Sequence, residues 1–174
     1  MLEAIEKRRA CRSFDKDKEV EQSKIDEIVK AGLLAPSGMN RQTPVIIVIK
    51  DKETRDKLMK INRACGQGRF PENMDPFYGS PVIMLVIANK NGISLLDGAA
   101  TMENMLLEAT NQGLASIWIH RAEQEIQMDE CKALLSFTGL NFDEYIGIGH
   151  VAIGYPKDWT YFEKKINPNR VFIK

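Results

Sequence analysis

The stretch from Ser94 to Ile119, SLLDGAATMENMLLEATNQGLASIWI, constrains the fold most, because no other part of the chain stays apolar for so long at helical spacing. Ser94 and Asp97 have the S-x-x-D spacing of a capping box, which predicts a helix start, and Gly113 predicts its stop. Between them Leu96, Ala99, Ala100, Met102, Met105, Leu106, Leu107 and Ala109 cover more than one stripe, so this helix is expected to be buried around most of its circumference. The small run Gly98-Ala99-Ala100 admits close approach of another backbone, from the same chain or from a second copy.

At 174 residues the chain has the length of one domain, spanning residues 1–174, with enough material for a sizeable core. Its 24 basic and 24 acidic side chains cancel, which leaves no global field to attract nucleic acid or an anionic membrane surface. Cys11, Cys65 and Cys131 are odd in number, far apart and outside any C-x-x-C or Cys/His cluster. They read as reduced thiols rather than disulfides or zinc ligands, so no metal is expected. The N-terminus MLEAIEKRR lacks an apolar signal region and no run is long enough to span a bilayer, so a soluble, cytoplasmic protein is expected.

Along the chain, Leu2 to Arg9 reads as a short helix with Leu2 and Ile5 facing inward. Ser23 and Asp26 form a second capping box before Ile25, Ile28, Val29 and Leu33, an amphipathic helix that must stop near Pro36. A turn-rich loop, Ala35 to Pro44, leads into VIIVI, which has the look of a buried strand. Lys52 to Ile61 predicts a helix with Leu58 and Ile61 inward. Residues Asn62 to Ser80 predict an irregular segment, a lid closed by Phe70, Phe77 and Tyr78 or a simple connection. Strands are expected at Val82–Ala88, Ala115–His120 and Ile146–Ile153, with a helix from Met128 to Phe137 stopped at Gly139. Alternating elements of this kind give an α/β or α+β fold, with a sheet of four or five strands covered by helices on both faces. The tail from Tyr155 to Lys174 holds Trp159, Tyr161, Phe162, Val171, Phe172 and Ile173, and its final VFI segment suits pairing with a sheet edge of this chain or another.

Two constellations carry chemistry. Arg8, Arg9 and Arg12 admit a phosphate, whose oxygens planar guanidinium groups bind in pairs, although the residues by themselves favour a solvated helix end. Ser37, Gly38, Asn40 and Gln42 offer a hydroxyl, a flexible backbone and two amides, which suit a planar heterocycle or an ordinary turn. His120 and His150 lack a nucleophile context and read as structural. The glycines of GIGHVAIGYP do not fit a dinucleotide signature, and close strand packing accounts for them. No acid/base or nucleophile set stands out, so if the chain is an enzyme its chemistry belongs to a bound cofactor.

Taken together, these segments resemble the nitroreductase family of FMN-dependent oxidoreductases. The resemblance rests on K-R-R-A-C-R-S-F, then A-P-S-G-M-N-R-Q-T-P before a strand, then D-G-A-A-T-M-E-N-M-L-L-E-A leading to G-L-A-S-I-W-I, then I-G-Y-P, and last Arg170. It implies an α+β three-layer sandwich in which helices flank a central, mostly antiparallel sheet of four to five strands. It further implies an intertwined homodimer with the core helix at the interface and two FMN molecules between the subunits. By position, Arg8, Arg9 and Arg170 would hold the FMN phosphate, and Arg12 would lie by the pyrimidine edge. Pro36, Ser37, Gly38 and Asn40 would come from the partner subunit, with Gln42 also near the cofactor. Ile119, His120 and Arg121 match the stretch whose backbone approaches flavin N5.

The chain departs from the family pattern at Ala10, where a serine is common, and at Thr43-Pro44, where proline and an aromatic are common. Only Asn89 to Ile93 separate the second strand from the core helix, so no lid is expected there. The activity implied is hydride transfer from NADH or NADPH through flavin N5 to a small acceptor such as a nitroaromatic, a quinone or an enone. The alternative is a non-catalytic protein that stores FMN.

Overall fold

Four runs rich in Val, Ile and Leu pair into one sheet in the computed structural model, which describes residues 1–90, 93–158 and 160–174. The expectations placed on Trp159, and in part that on Asn89–Ile93, lie outside the described residues. The strands β1 (Pro44–Ile49), β2 (Val82–Asn89), β3 (Ala115–Ile119) and β4 (Tyr145–Gly154) lie in the order β1-β2-β4-β3. Every neighbouring pair is antiparallel. Strands β2 and β4, paired on both sides, are almost wholly buried, whereas β1 is only partly so. The unbroken apolar run VIIVI therefore marks an edge strand, covered less than expected because it has a strand neighbour on one side only.

Strand alternation divides the core into two layers. Val82, Met84, Val86 and Ala88 of β2 face helices α2 (Gln22–Leu33) and α4 (Ser94–Asn111), meeting Ile25, Ile28, Met102 and Met105. Ile83, Leu85 and Ile87 face the other way, onto α3 (Lys52–Ala64), α5 (Ala122–Glu125) and α6 (Asp129–Leu134), through Leu58, Ile61, Ile126 and Cys131. The result is the three-layer α+β sandwich that the resemblance implied. A bulge in β4, where Val86 pairs Gly149 but Ile87 pairs Gly147, leaves Ile148 as the extra residue.

Neither capping box caps a helix. The N-cap of α4 is Ile93, and Asp97 Oδ1 instead accepts from the Gly38 N–H at 3.0 Å, while Ser94 Oγ lies 3.4 Å from Thr43 Oγ1. The N-cap of α2 is Glu21, with Asp26 accepting from Gln22 Nε2 at 2.7 Å. The close approach suggested by the small run is made within the chain, since a Cβ on Gly98 would stand 2.5 Å from Ile148 Cγ1. Helix α4 buries Met102, Met105, Leu106 and Ala109 but leaves Leu96 70% exposed.

Leu2 and Ile5, expected to face inward, are exposed, because α1 (Glu3–Lys7) packs on α4 through its other side. Phe77 is fully buried with its ring edge-on to His150, and the Tyr78 carbonyl accepts from Phe14 N–H, so both are fixed points rather than parts of a lid. The tail is strapped at its start by hydrogen bonds from Asp15 N–H to the Tyr155 carbonyl and from Lys157 N–H to the Ser13 carbonyl. Beyond them Val171, Phe172 and Ile173 pair with no strand and stand in solvent, Ile173 92% exposed.

Candidate functional site

The outer edge of β3 is met by the segment after α1. Ala10 bridges Ser116 in parallel, and Cys11 N–H donates to the Ser116 carbonyl at 3.0 Å. Cys11 and Phe14 are anchored in the core: the segment touches β3 at Ser116 and then turns to Tyr155–Lys157, where Phe14 bridges Pro156, Asp15 N–H donates to the Tyr155 carbonyl and the Ser13 carbonyl accepts from Lys157 N–H. Arg12 is exposed and makes no hydrogen bond or ion pair among the described residues. Arg8 has a long ion pair, 3.8 Å, with Glu103 of α4. Arg9 holds the tail: its Nε donates to the Phe162 carbonyl at 2.8 Å, its Nη2 to the Tyr161 hydroxyl at 3.0 Å, and its guanidinium lies 5.0 Å from the Tyr161 ring centroid. A cavity of about 600 Å³ opens here, lined by Arg9, Gly113, Leu114, Ser116 and Tyr161 among others. The buried Ser116 hydroxyl has no hydrogen-bond partner among the described residues.

At the other end of β3 lies a polar network that the sequence reading did not anticipate. Ile119 is buried and His120 exposed, and Arg121 takes a left-handed backbone with φ of +82°. A non-glycine residue there costs on the order of 1–2 kcal/mol. Arg121 is held by Asn62, whose Oδ1 accepts from Nη2 at 2.6 Å and from Nε at 3.1 Å, and by the Asn62 carbonyl at 3.2 Å. Its guanidinium lies 4.5 Å from the Phe70 centroid. The Asn62 amide donates in turn to the His120 carbonyl at 3.0 Å and to Glu125 Oε1. Glu125 Oε2 is 2.9 Å from His150 Nε2, and Asn62, Glu125 and His150 are all fully buried.

Burial pushes the Cys131 thiol up to about 12, with the Glu125 charge adding, and burial likewise raises Cys65 and Cys11. None of the three is therefore an activated nucleophile. One signal of this network was in the sequence: Asn62 falls on the stripe Leu58, Ile61, Cys65 that α3 turns inward, and a buried polar residue requires a partner.

The loop before β1 forms the remaining group. Ser37 Oγ accepts from Gln42 N–H at 2.9 Å, and Asn40 Oδ1 accepts from Gln42 Nε2 at 3.0 Å. Met39, Asn40 and Gln42 all have φ between 50° and 54°, an accumulation of backbone strain that surroundings must hold in place. Pro36, Ser37 and Gln42 line a cavity of about 180 Å³ with Gly32 and Thr101.

The sequence-predicted residues thus fall into two groups. Arg8, Arg9 and Arg12 flank the residues that meet β3 at Ser116, and Ile119, His120 and Arg121 lie at the end of that strand, while Pro36, Ser37, Gly38, Asn40 and Gln42 lie at the start of β1. These strands are opposite edges of the sheet, with β4 and β2 between them, and the two cavities share no lining residue. Arg170 is in the exposed tail and makes no hydrogen bond or ion pair among the described residues. Among those residues no cluster of His, Cys, Asp and Glu has the makings of a metal site, and no helix is long and apolar enough to cross a membrane.

Comparison with known proteins places this geometry among relatives. The family model for the nitroreductase family matches residues 5–155. A relative from Archaeoglobus fulgidus, whose name includes NAD(P)H nitroreductase, is 30% identical over 98% of this chain and 95% of its own. The FMN reductase [NAD(P)H] of Bacillus subtilis is 28% identical over 88% of this chain, which spans 53% of that protein. Among solved structures, a nitroreductase with bound FMN from Bacteroides fragilis superposes with a TM-score of 0.90 at 27% identity, covering 99% of this chain and 97% of the other.

Proposed function

Because this chain belongs to the nitroreductase family, we propose that it is an FMN-dependent oxidoreductase that draws electrons from NADH or NADPH and passes them to a small acceptor such as a nitroaromatic, a quinone or an enone. The observation that carries the reading is the group of cations beside β3: Arg8 and Arg9 precede and Arg12 follows the residues that meet the strand at Ser116, and Arg12 makes no hydrogen bond or ion pair among the described residues. That donor set fits a phosphorylated, planar group, with guanidinium groups for the phosphate and a cation and backbone for a ring edge.

FMN, when bound, would supply the hydride-transfer chemistry between donor and acceptor. The chain supplies binding and electrostatics. In this reading Arg8, Arg9 and Arg170 would hold the phosphate, and Arg12 would place positive charge beside the ring. The backbone of Ile119, His120 and Arg121 orients the reactive edge.

The second half of the site, Pro36, Ser37, Gly38, Asn40 and Gln42, comes in this reading from a second copy. Support for a homodimer is the separation of the two groups across the sheet, together with the exposure of the large apolar side chains of Leu2, Leu33, Leu34, Met39 and Leu96. Purified protein should be a yellow dimer. Anaerobic addition of NADH or NADPH should bleach the flavin absorbance, and an acceptor should restore it; a yellow protein that no reduced nicotinamide bleaches would instead be an FMN store.

A further inference from the structure

Beside the Ile119–Arg121 turn lie arginines that form no ion pair among the described residues. Among the described residues the arginines in ion pairs are Arg8 and Arg55, and Arg63, Arg69 and Arg121 have none. Arg63 and Arg69 are the chain neighbours of the residues that hold Arg121: Arg63 follows Asn62, which grips it, and Arg69 precedes Phe70, on which it stacks. Arg63 donates to the Glu72 backbone carbonyl rather than to an acid, and Arg69 is exposed. Glu125 reaches the network, but Asn62 stands between it and Arg121, and His150 takes its other oxygen.

Arg121 also occupies a backbone position that glycine would fill without strain, so its side chain has to be the reason for its presence. That side chain is immobilised before any ligand arrives. Nε and Nη2 are bound to Asn62, the guanidinium face lies on Phe70, and Nη1 is left without a partner among the described residues. A preorganised, uncompensated guanidinium with a free donor beside an aromatic face is suited to a planar anion.

We propose that Arg121, supported by Arg63 and Arg69, recognises a carboxylate or similar anionic substituent on an aromatic electron acceptor. This rests on the reading of the Ile119–Arg121 turn as the edge where acceptor meets flavin. Arg121 is then a specificity-determining residue: it orients the acceptor by its charged end and leaves electron transfer to the cofactor.

The test uses the protein as purified, with its flavin content recorded. Calorimetric titration with benzoate and with neutral benzamide should show benzoate bound about tenfold more tightly, a preference abolished in R121Q and partly kept in R121K. In turnover, the ratio of kcat/KM for 4-nitrobenzoate to that for nitrobenzene should fall about tenfold in R121Q. R69Q, on the exposed loop, provides a reading even if R121Q does not fold: benzoate affinity at low salt should fall about twofold, with benzamide unaffected.

Equal binding of the two probes by the unmodified protein would overturn the proposal, as would a 4-nitrobenzoate preference that survives in R121Q. So would an R121Q effect confined to the KM of NADH or NADPH, which would assign the cation to the donor's phosphates. Failure of the functional reading is separate: protein that retains no flavin, or flavin that NAD(P)H does not bleach, refutes that reading, while the benzoate preference is still measured on the same sample.

Discussion

Replacing Gly147 by alanine should damage the fold and the site together. A Cβ at this strand position would stand 2.2 Å from the Ala122 carbonyl carbon, 2.3 Å from its oxygen and 2.5 Å from the Glu123 nitrogen. All three are backbone atoms, and ordinary contact begins at 3.4 Å, so α5 must retreat by about 1 Å. Gly147 cannot retreat instead, because it pairs with Ile87 in the middle of the sheet.

Overpacking against a rigid neighbour costs about 1–3 kcal/mol. For a chain of this size that lowers the melting temperature by about 3–10 °C. Ala122 directly follows the Ile119–Arg121 turn, so the same displacement should weaken FMN binding at least about tenfold, the scale of loss that an ångström of misplacement brings. Thermal melts of the apoprotein and titration of FMN by flavin fluorescence read the two effects. Gly149→Ala is the milder comparison, because its two nearest neighbours, Trp118 Nε1 and Met102 Cε, belong to side chains and the nearest backbone atom, the Ile119 carbonyl oxygen, stands at 3.1 Å. A G147A protein with unaltered melting and FMN affinity would refute the reasoning.

Other expectations concern the thiol, the cations and the tail. The fold keeps Cys131 protonated up to about pH 12, against 9.0 for a free thiol, so an unfolded chain releases that proton first. Stability should therefore decline as pH rises from about 9 toward 12, by up to about 1.4 kcal/mol per unit from this group. Urea unfolding between pH 8 and 10.5 should show a shallower decline in C131A, and parallel curves for the two proteins would contradict the assignment. Arg8→Ala should weaken FMN binding by about 1.5–3 kcal/mol through loss of a charge-assisted phosphate contact, measured by equilibrium titration; unchanged affinity would remove Arg8 from the phosphate site. Deleting residues 167–174 removes Arg170 and the exposed Val171, Phe172 and Ile173, and should shift a concentration series in analytical ultracentrifugation toward monomer. An unshifted series would mean the tail does not bind a partner.

The strands were legible in the sequence because β-branched runs bounded by turn residues leave few alternatives, as at Val82–Asn89. Helices α3 and α4 were legible from spacing, but their ends were not. Asp97 and Ser94 satisfy a capping pattern in sequence and a loop in space, and only the position of Gly38 and Thr43 decides between the two. Edge and centre were indistinguishable in VIIVI, since an apolar run does not record how many strands flank it. Arg8 and Arg12 were marked by composition alone, whereas the grip of Arg9 on Tyr161 and Phe162 joins residues more than 150 positions apart. The same applies to Asn62, Arg121, Glu125 and His150, gathered from two helices, a turn and a strand.

The most direct test of a site shared between two copies is complementation between differently damaged subunits. Chains carrying R8A with R12A, and chains carrying S37W, each lose one half of the site and should retain no FMN as homodimers. If the halves come from opposite subunits, the mixed dimer, isolated by two affinity tags after joint refolding, rebuilds one intact site and should bind about one FMN per dimer. A mixed dimer that binds none, or homodimers of S37W that keep full flavin, would contradict a site built from both chains.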